Sequence, residues 1–275
     1  MNRFWALLAL SCYCASAAAF VTERLGVFDR LANKAALLLG AGAAVQFIEF
    51  ALGVIQTGNL PVTNFAQSLA FLASLTALTG LILIMRFRMP VVGTFVAPIV
   101  FVALGVATLT VHNRHLILPT ALRSVWLPIH VTLAFLGYAL FVLAAGVSLL
   151  YLVYERRLKA KRLLLTARES APSLEKLDRV NYHLLGWGFL MLTLAIVSGA
   201  IWADSIWGHF WSWEPRESWS LAIWLLYAAL LESRLTVGWR GRRAATLTII
   251  LFSVLVGSFL GVSLLAPGKH GGSFG

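Results

Sequence analysis

The chain has 275 residues, 60% of them hydrophobic and only 12% charged, with a mean hydropathy of +0.84. That composition excludes a soluble globular domain and identifies an integral membrane protein. The formal charge of +11 sits in loops between apolar runs, so it reads as membrane topology and not as a nucleic-acid surface. Cys12 and Cys14 lie inside an apolar run; they offer no disulfide framework and read as small-residue packing.

In chain order, apolar runs cover residues 4–21, 31–55, 65–85, 91–111 and 126–154, then 180–202, 215–237 and 244–265. A bilayer core needs about 20 apolar residues per helix. The expected fold is therefore all-α: a single polytopic membrane domain over 1–275, a bundle of about eight transmembrane helices. The first run has small residues (Ala15, Ser16, Ala17) that mimic a secretory signal, but its companion helices favour a retained span. The first and seventh runs carry the weakest signals.

Lys and Arg set the expected orientation. Loops on one side carry seventeen of the 22, eight of them in the connection 155–179; the other side holds Arg3, Arg114, Arg123, Arg216 and Lys269. The positive-inside rule then predicts an N-out, C-out protein. Five of the six histidines (His112, His115, His130, His209 and His270) fall on the outer face, and His183 on the cytoplasmic one.

The outer face also receives the connection between helices six and seven, an external loop rich in tryptophan. Residues 202–224 read WADSIWGHFWSWEPRESWSLAIW and hold Trp202, Trp207, Trp211, Trp213, Trp219 and Trp224, six of the ten tryptophans. Such density exceeds an interfacial aromatic belt, which supplies one or two rings per helix end. It fits a platform for a large flat ligand. Haem matches that chemistry: an apolar macrocycle, two propionates, and an iron that takes imidazoles. Tryptophans give stacking area. His130 and His270, each at the outer end of a different helix, can approach an iron from opposite faces. Arg216, Lys269 or the amides at the start of the seventh helix suit the propionates, with Pro215 at the first helical position. For either histidine alone, an interfacial imidazole bonded to a carbonyl is the competing reading.

WGHFWSWEPRESWSLAIWLLYA resembles the tryptophan-rich "WWD" signature of the cytochrome c assembly family, and within it the CcsA (ResC) branch of the system II machinery. PVTNFAQSLAFLA, IHVTLAFLGYALF around His130, LDRVNYHLLGWGFLMLTLAIVSGAIWA and the closing GKHGG follow that branch in order. The resemblance implies a WWD region at about 202–224 that holds haem b as bound substrate. His130 and His270 would be its axial ligands, with Trp207, Trp211, Trp213, Glu214, Arg216 and Trp219 around it. It further implies delivery to apocytochrome c, a CcsB (ResB) membrane partner, and a place in the bacterial cytoplasmic membrane in contact with lipid. Such a chain would be a subunit of a holocytochrome c synthase. Glu214 replaces the aspartate that names the signature. Glu232 stands where the family's seventh helix carries a histidine in Tyr-Leu-His-x-Arg, which favours a runner-up, the HemX-like branch linked to haem biosynthesis. A transporter of another hydrophobic solute is the reading from a different class.

Two ionisable groups remain. Glu49 lies within the second helix, where a carboxyl either serves a haem or proton path or is bonded to a neighbour such as Gln46. His183 is a candidate inner ligand only if Glu232 has displaced the usual one. No nucleophile–base pair, Walker loop or dinucleotide fingerprint occurs.

Overall fold

The structure, a computed structural model, describes residues 3–25, 31–58, 60–62, 64–110, 124–160 and 172–265. Eight α-helices run through them: α1 Arg3–Arg24, α2 Ala32–Thr57, α3 Phe65–Phe87, α4 Gly93–Leu109, α5 Trp126–Lys159, α6 Leu174–Trp207, α7 Pro215–Leu235 and α8 Arg242–Leu265. A 3₁₀ turn, Pro90–Val92, leads into α4. No strand occurs among the described residues. The chain is a multi-pass, all-α membrane protein: seven of these helices are long and apolar enough to cross a bilayer. The exception is α7, whose end turns hold Arg216, Glu217, Glu232 and Arg234.

The helices follow the apolar runs but two of them outlast their runs. α5 continues to Lys159, where Lys159 pairs with Glu155 at 2.8 Å. α6 begins at Leu174, capped by Ser173 Oγ accepting from Lys176 N at 3.2 Å. Apolar runs mark the bilayer; caps and (i, i+4) ion pairs carry a helix beyond it.

Small residues set how closely helices approach, because lipid supplies no hydrophobic drive between them. α5 and α6 form the most extensive pair. A Cβ on Gly137 of α5 would lie 3.2 Å from Gly188 O of α6, and the Phe141 ring fills the notch above Gly188. The pair is antiparallel, since Gly137 meets Gly188 and Leu192 while Asn181 Nδ2 donates to Ala144 O at 3.1 Å and Ser148 Oγ at 2.8 Å. α6 and α7 are antiparallel too. Trp224 Nε1 donates to Thr193 Oγ1 at 2.8 Å at one level, and Arg234 reaches Asp178 and Asn181 at another.

It follows that α5 and α7 are parallel, and Phe141 stacks on Tyr227 between them at 3.8 Å and 12°. His130 and Arg216 each lie eleven residues before their helix's member of that stack. At a rise of 1.5 Å per residue both stand about 16 Å from it, at one depth and towards the tryptophan loop.

The opposite end is closed by a polar lock. Arg234, 6% exposed, donates to Asp178 Oδ2 at 2.9 Å, Asp178 O at 3.3 Å and Asn181 Oδ1 at 3.1 Å, and lies 5.2 Å from the Tyr182 ring. Asp178 Oδ1 accepts from Gly241 N at 2.9 Å, tying in the α7–α8 connection. Every donor of this desolvated guanidinium that points inward is thereby matched, which is what keeps a buried charge tolerable. In the first half, Tyr13 donates to Gln46 Oε1 at 2.5 Å and Gln46 Nε2 to Ala70 O at 3.1 Å, linking α1, α2 and α3. Gln46 is thus engaged across helices.

Candidate functional site

His130 sits one turn into α5, and its position is fixed by α6. Its Nδ1 lies 2.7 Å from Ala195 O. A carbonyl only accepts, so Nδ1 carries the hydrogen, and in the neutral ring the lone pair is on Nε2. The ring stacks on Trp202 at 6.2 Å and 21°, and a Cβ on Gly199 would come within 2.7 Å of its Nδ1 and Cε1. Ala195, Gly199 and Trp202 follow the helical spacing i, i+4, i+7, so one stripe of α6 supplies acceptor, gap and backing ring. The carbonyl-bonded imidazole expected as the competing reading is what the structure holds, and that same bond orients metal-binding histidines. The two readings coincide.

The tryptophan loop begins where Gly208, at φ +74, ends α6 with its N–H on Asp204 O at 2.9 Å. It ends where Glu214 caps α7 with Pro215 at the first helical position, as expected from the sequence. Glu214 and Glu217 form a reciprocal capping box, so the amide of Glu217 is taken by Glu214 and is not left for an anion. Glu217 does more than close that box. Its Oε2 accepts from Ser212 N at 2.7 Å and Glu214 N at 3.3 Å, and Ser212 Oγ donates to both of its oxygens at 3.1 Å. Trp213, between those two amides, has φ +57 and is 71% exposed. For a bulky side chain this left-handed backbone costs about 1–3 kcal/mol.

The expected plate resolves into separate clusters. Trp202, buried, meets Trp207 edge-on at 5.4 Å; Trp211 meets Trp213 edge-on at 5.9 Å. Trp219 is exposed. Trp224 instead turns into the bundle, stacked on Phe189 at 5.2 Å, and has a packing role. His209 Nδ1 and Trp211 Nε1 are buried with no hydrogen-bond partner among the described residues. Arg216 is half-buried on the first turn of α7. His270, Lys269, His112 and His115 lie outside the described residues. His183 and Glu232 are both exposed, towards the end of the bundle that holds Arg234. Sequence reading passed over Ala195, Gly199 and Glu217. The small-residue spacing in LAIVSGAIW was the available signal for the first two, and the (i, i+3) spacing of Glu214 and Glu217 for the third.

Among proteins of known name, the chain is 34% identical over 271 residues to "Cytochrome c biogenesis protein CcsA" of Synechococcus sp. (strain CC9902), covering 90% of this chain and 87% of that protein. The protein of the same name from Guillardia theta is 34% identical over 233 residues, with 78% and 77% covered. The one from Chlamydomonas reinhardtii is 33% identical over 225 residues, with 80% and 62% covered. The family pattern described as "Cytochrome C assembly protein" matches residues 62–270, a span that includes His130, the stripe on α6, the tryptophan loop and His270. The chain belongs to the cytochrome c assembly protein family.

Proposed function

We propose that this chain works in cytochrome c biogenesis, holding haem at the face that carries the tryptophan loop so that apocytochrome c can be joined to it. The observation that carries this reading is the His130 arrangement: a carbonyl-oriented imidazole with its lone pair on Nε2, backed by the buried Trp202 ring. Nε2 then serves as one axial ligand and His270 as the other. Trp207, Trp211, Trp213 and Trp219 supply aromatic surface to the macrocycle. Arg216, level with His130, and the Nε1–H of Trp211, unmatched among the described residues, serve the propionates, and Glu214 shapes the loop through its cap.

Haem is substrate here. In thioether formation each cysteine thiol adds across a vinyl group; the sulfur bonds one carbon, the hydrogen goes to the other, and no external oxidant or reductant is consumed. The protein's share is to hold the ring in place and leave the vinyl edge accessible. The excess of Lys and Arg in the loops at the Arg234 end supports an external haem face, with both termini outside. A CcsB-type membrane protein is the expected partner.

The test is optical. The full chain purified from haem-replete cells is expected to show a bis-imidazole haem spectrum, lost or altered in His130→Ala and His270→Ala and partly restored by added imidazole. A colourless wild-type protein refutes haem handling. Co-expression with a CcsB-type partner and a reporter apocytochrome, in cells without their own maturation system, is expected to yield haem-stained cytochrome. Absence of it, with both proteins well expressed, favours the HemX-like role.

A further inference from the structure

The unusual feature of the tryptophan loop is that its most exposed ring stands on its most strained backbone. Left-handed φ is open to glycine at no cost, yet position 213 keeps a tryptophan at φ +57. Something must hold it there. A capping box needs only one bond from the third helical side chain, to the amide of the cap residue. In this loop that bond, Glu217 Oε2 to Glu214 N, is the long one at 3.3 Å. The short one, 2.7 Å, goes to Ser212 N, two residues before the cap, and the Ser212 hydroxyl adds contacts at 3.1 Å to both oxygens. From the other side, Ser218 Oγ donates to Trp213 O at 3.2 Å. The residue before Trp213, the residue after it and its own carbonyl are therefore all tied to the first turn of α7. Charge-assisted bonds of this kind are stronger than neutral ones and offset strain that a neutral cap would not.

From this geometry we infer that Glu217 is the positioning residue of the aromatic platform: its carboxylate fixes the Trp213 peptide in the left-handed region and so presents the indole to the external ligand. The inference rests on the haem reading for the identity of that ligand. The clamp itself does not. Glu217 acts through Trp213 and touches no reacting atom.

The experiment uses the full chain in nanodiscs and has two readouts. The first is hydrogen exchange of the loop amides without haem. Glu217→Ala is expected to abolish protection at Ser212 and Glu214 while α6 and α8 stay protected; equal exchange in wild type and variant overturns the clamp. The second is haem affinity by Soret titration in a double-mutant cycle. Glu217→Ala alone and Trp213→Ala alone should each weaken binding about tenfold, which corresponds to about 1.4 kcal/mol. The pair together should be no weaker than Trp213→Ala alone, because the two act as one unit. Additive losses overturn the inference, since they mean that Glu217 acts independently of the ring. Glu217→Gln, which keeps volume and one acceptor, should fall between wild type and Ala and guards against a variant that fails to fold. If the wild type binds no haem, the haem reading falls while the exchange result still decides the clamp.

Discussion

Replacing Gly199 by alanine puts the His130 arrangement under direct strain. The new methyl carbon would lie 2.7 Å from Nδ1 and Cε1 of His130, whereas ordinary contact begins at 3.4 Å. The imidazole must therefore move by the difference, about 0.7 Å, or α5 and α6 must part by as much. Either response disturbs the 2.7 Å bond to Ala195 O that fixes the ring. For stability the effects oppose each other. Alanine in a helix interior gains about 0.8–1 kcal/mol over glycine, while overpacking costs about 1–3 kcal/mol, so the net loss lies between nothing and about 2 kcal/mol. For ligand binding nothing offsets the shift. Losing the group that orients a metal-bound histidine weakens binding about 10–100-fold. The assay is haem titration followed at the Soret band, with thermal unfolding of the same samples as control. The expected result is at least tenfold weaker binding, partly rescued by imidazole, with a loss of unfolding stability of no more than about 2 kcal/mol. Wild-type affinity and spectrum in Gly199→Ala would refute the claim that the α6 stripe sets the ligand position.

Two further predictions concern the bundle. Arg234→Met leaves Asp178 and Asn181 without their cation at a site where Arg234 is almost wholly buried; a loss of about 3–5 kcal/mol is expected. Denaturant unfolding in detergent checks it, and a change under about 1 kcal/mol would show that the lock is ornamental. Tyr227→Phe removes a buried hydroxyl with no hydrogen-bond partner among the described residues while keeping the ring stacked on Phe141. Stability should hold or rise, by up to about 1–3 kcal/mol; a clear loss would mean that the hydroxyl is matched by a water or a ligand.

Much of the fold was legible in the sequence because a bilayer imposes one length scale on every helix. The eight apolar runs became eight helices, and Pro215 opened α7 where expected. The ends of α5 and α6 were not legible, since they are set by Glu155–Lys159 and by the Ser173 cap, outside the bilayer pattern. Of the site, the residue types were visible and their arrangement was not. Six tryptophans in 23 residues announce an aromatic surface, yet composition cannot tell Trp224, which packs on Phe189, from Trp213, which faces outward.

By itself the sequence determined a polytopic helical membrane protein, the clustering of histidine and tryptophan between Lys- and Arg-rich loops, and the family, because hydropathy, charge bias and motif order are one-dimensional properties. Only the tertiary structure decided which nitrogen of His130 carries the lone pair, that His130 and Arg216 share a depth, and that Glu217 holds Trp213 in a left-handed turn. Those facts depend on a carbonyl 65 residues away, on the parallel setting of two helices separated by a third, and on side-chain bonds that compete with local backbone preference. The first two are relations between distant parts of the chain, which no reading of local pattern can supply; the third is local, but it sets side-chain bonds against the backbone preference of tryptophan.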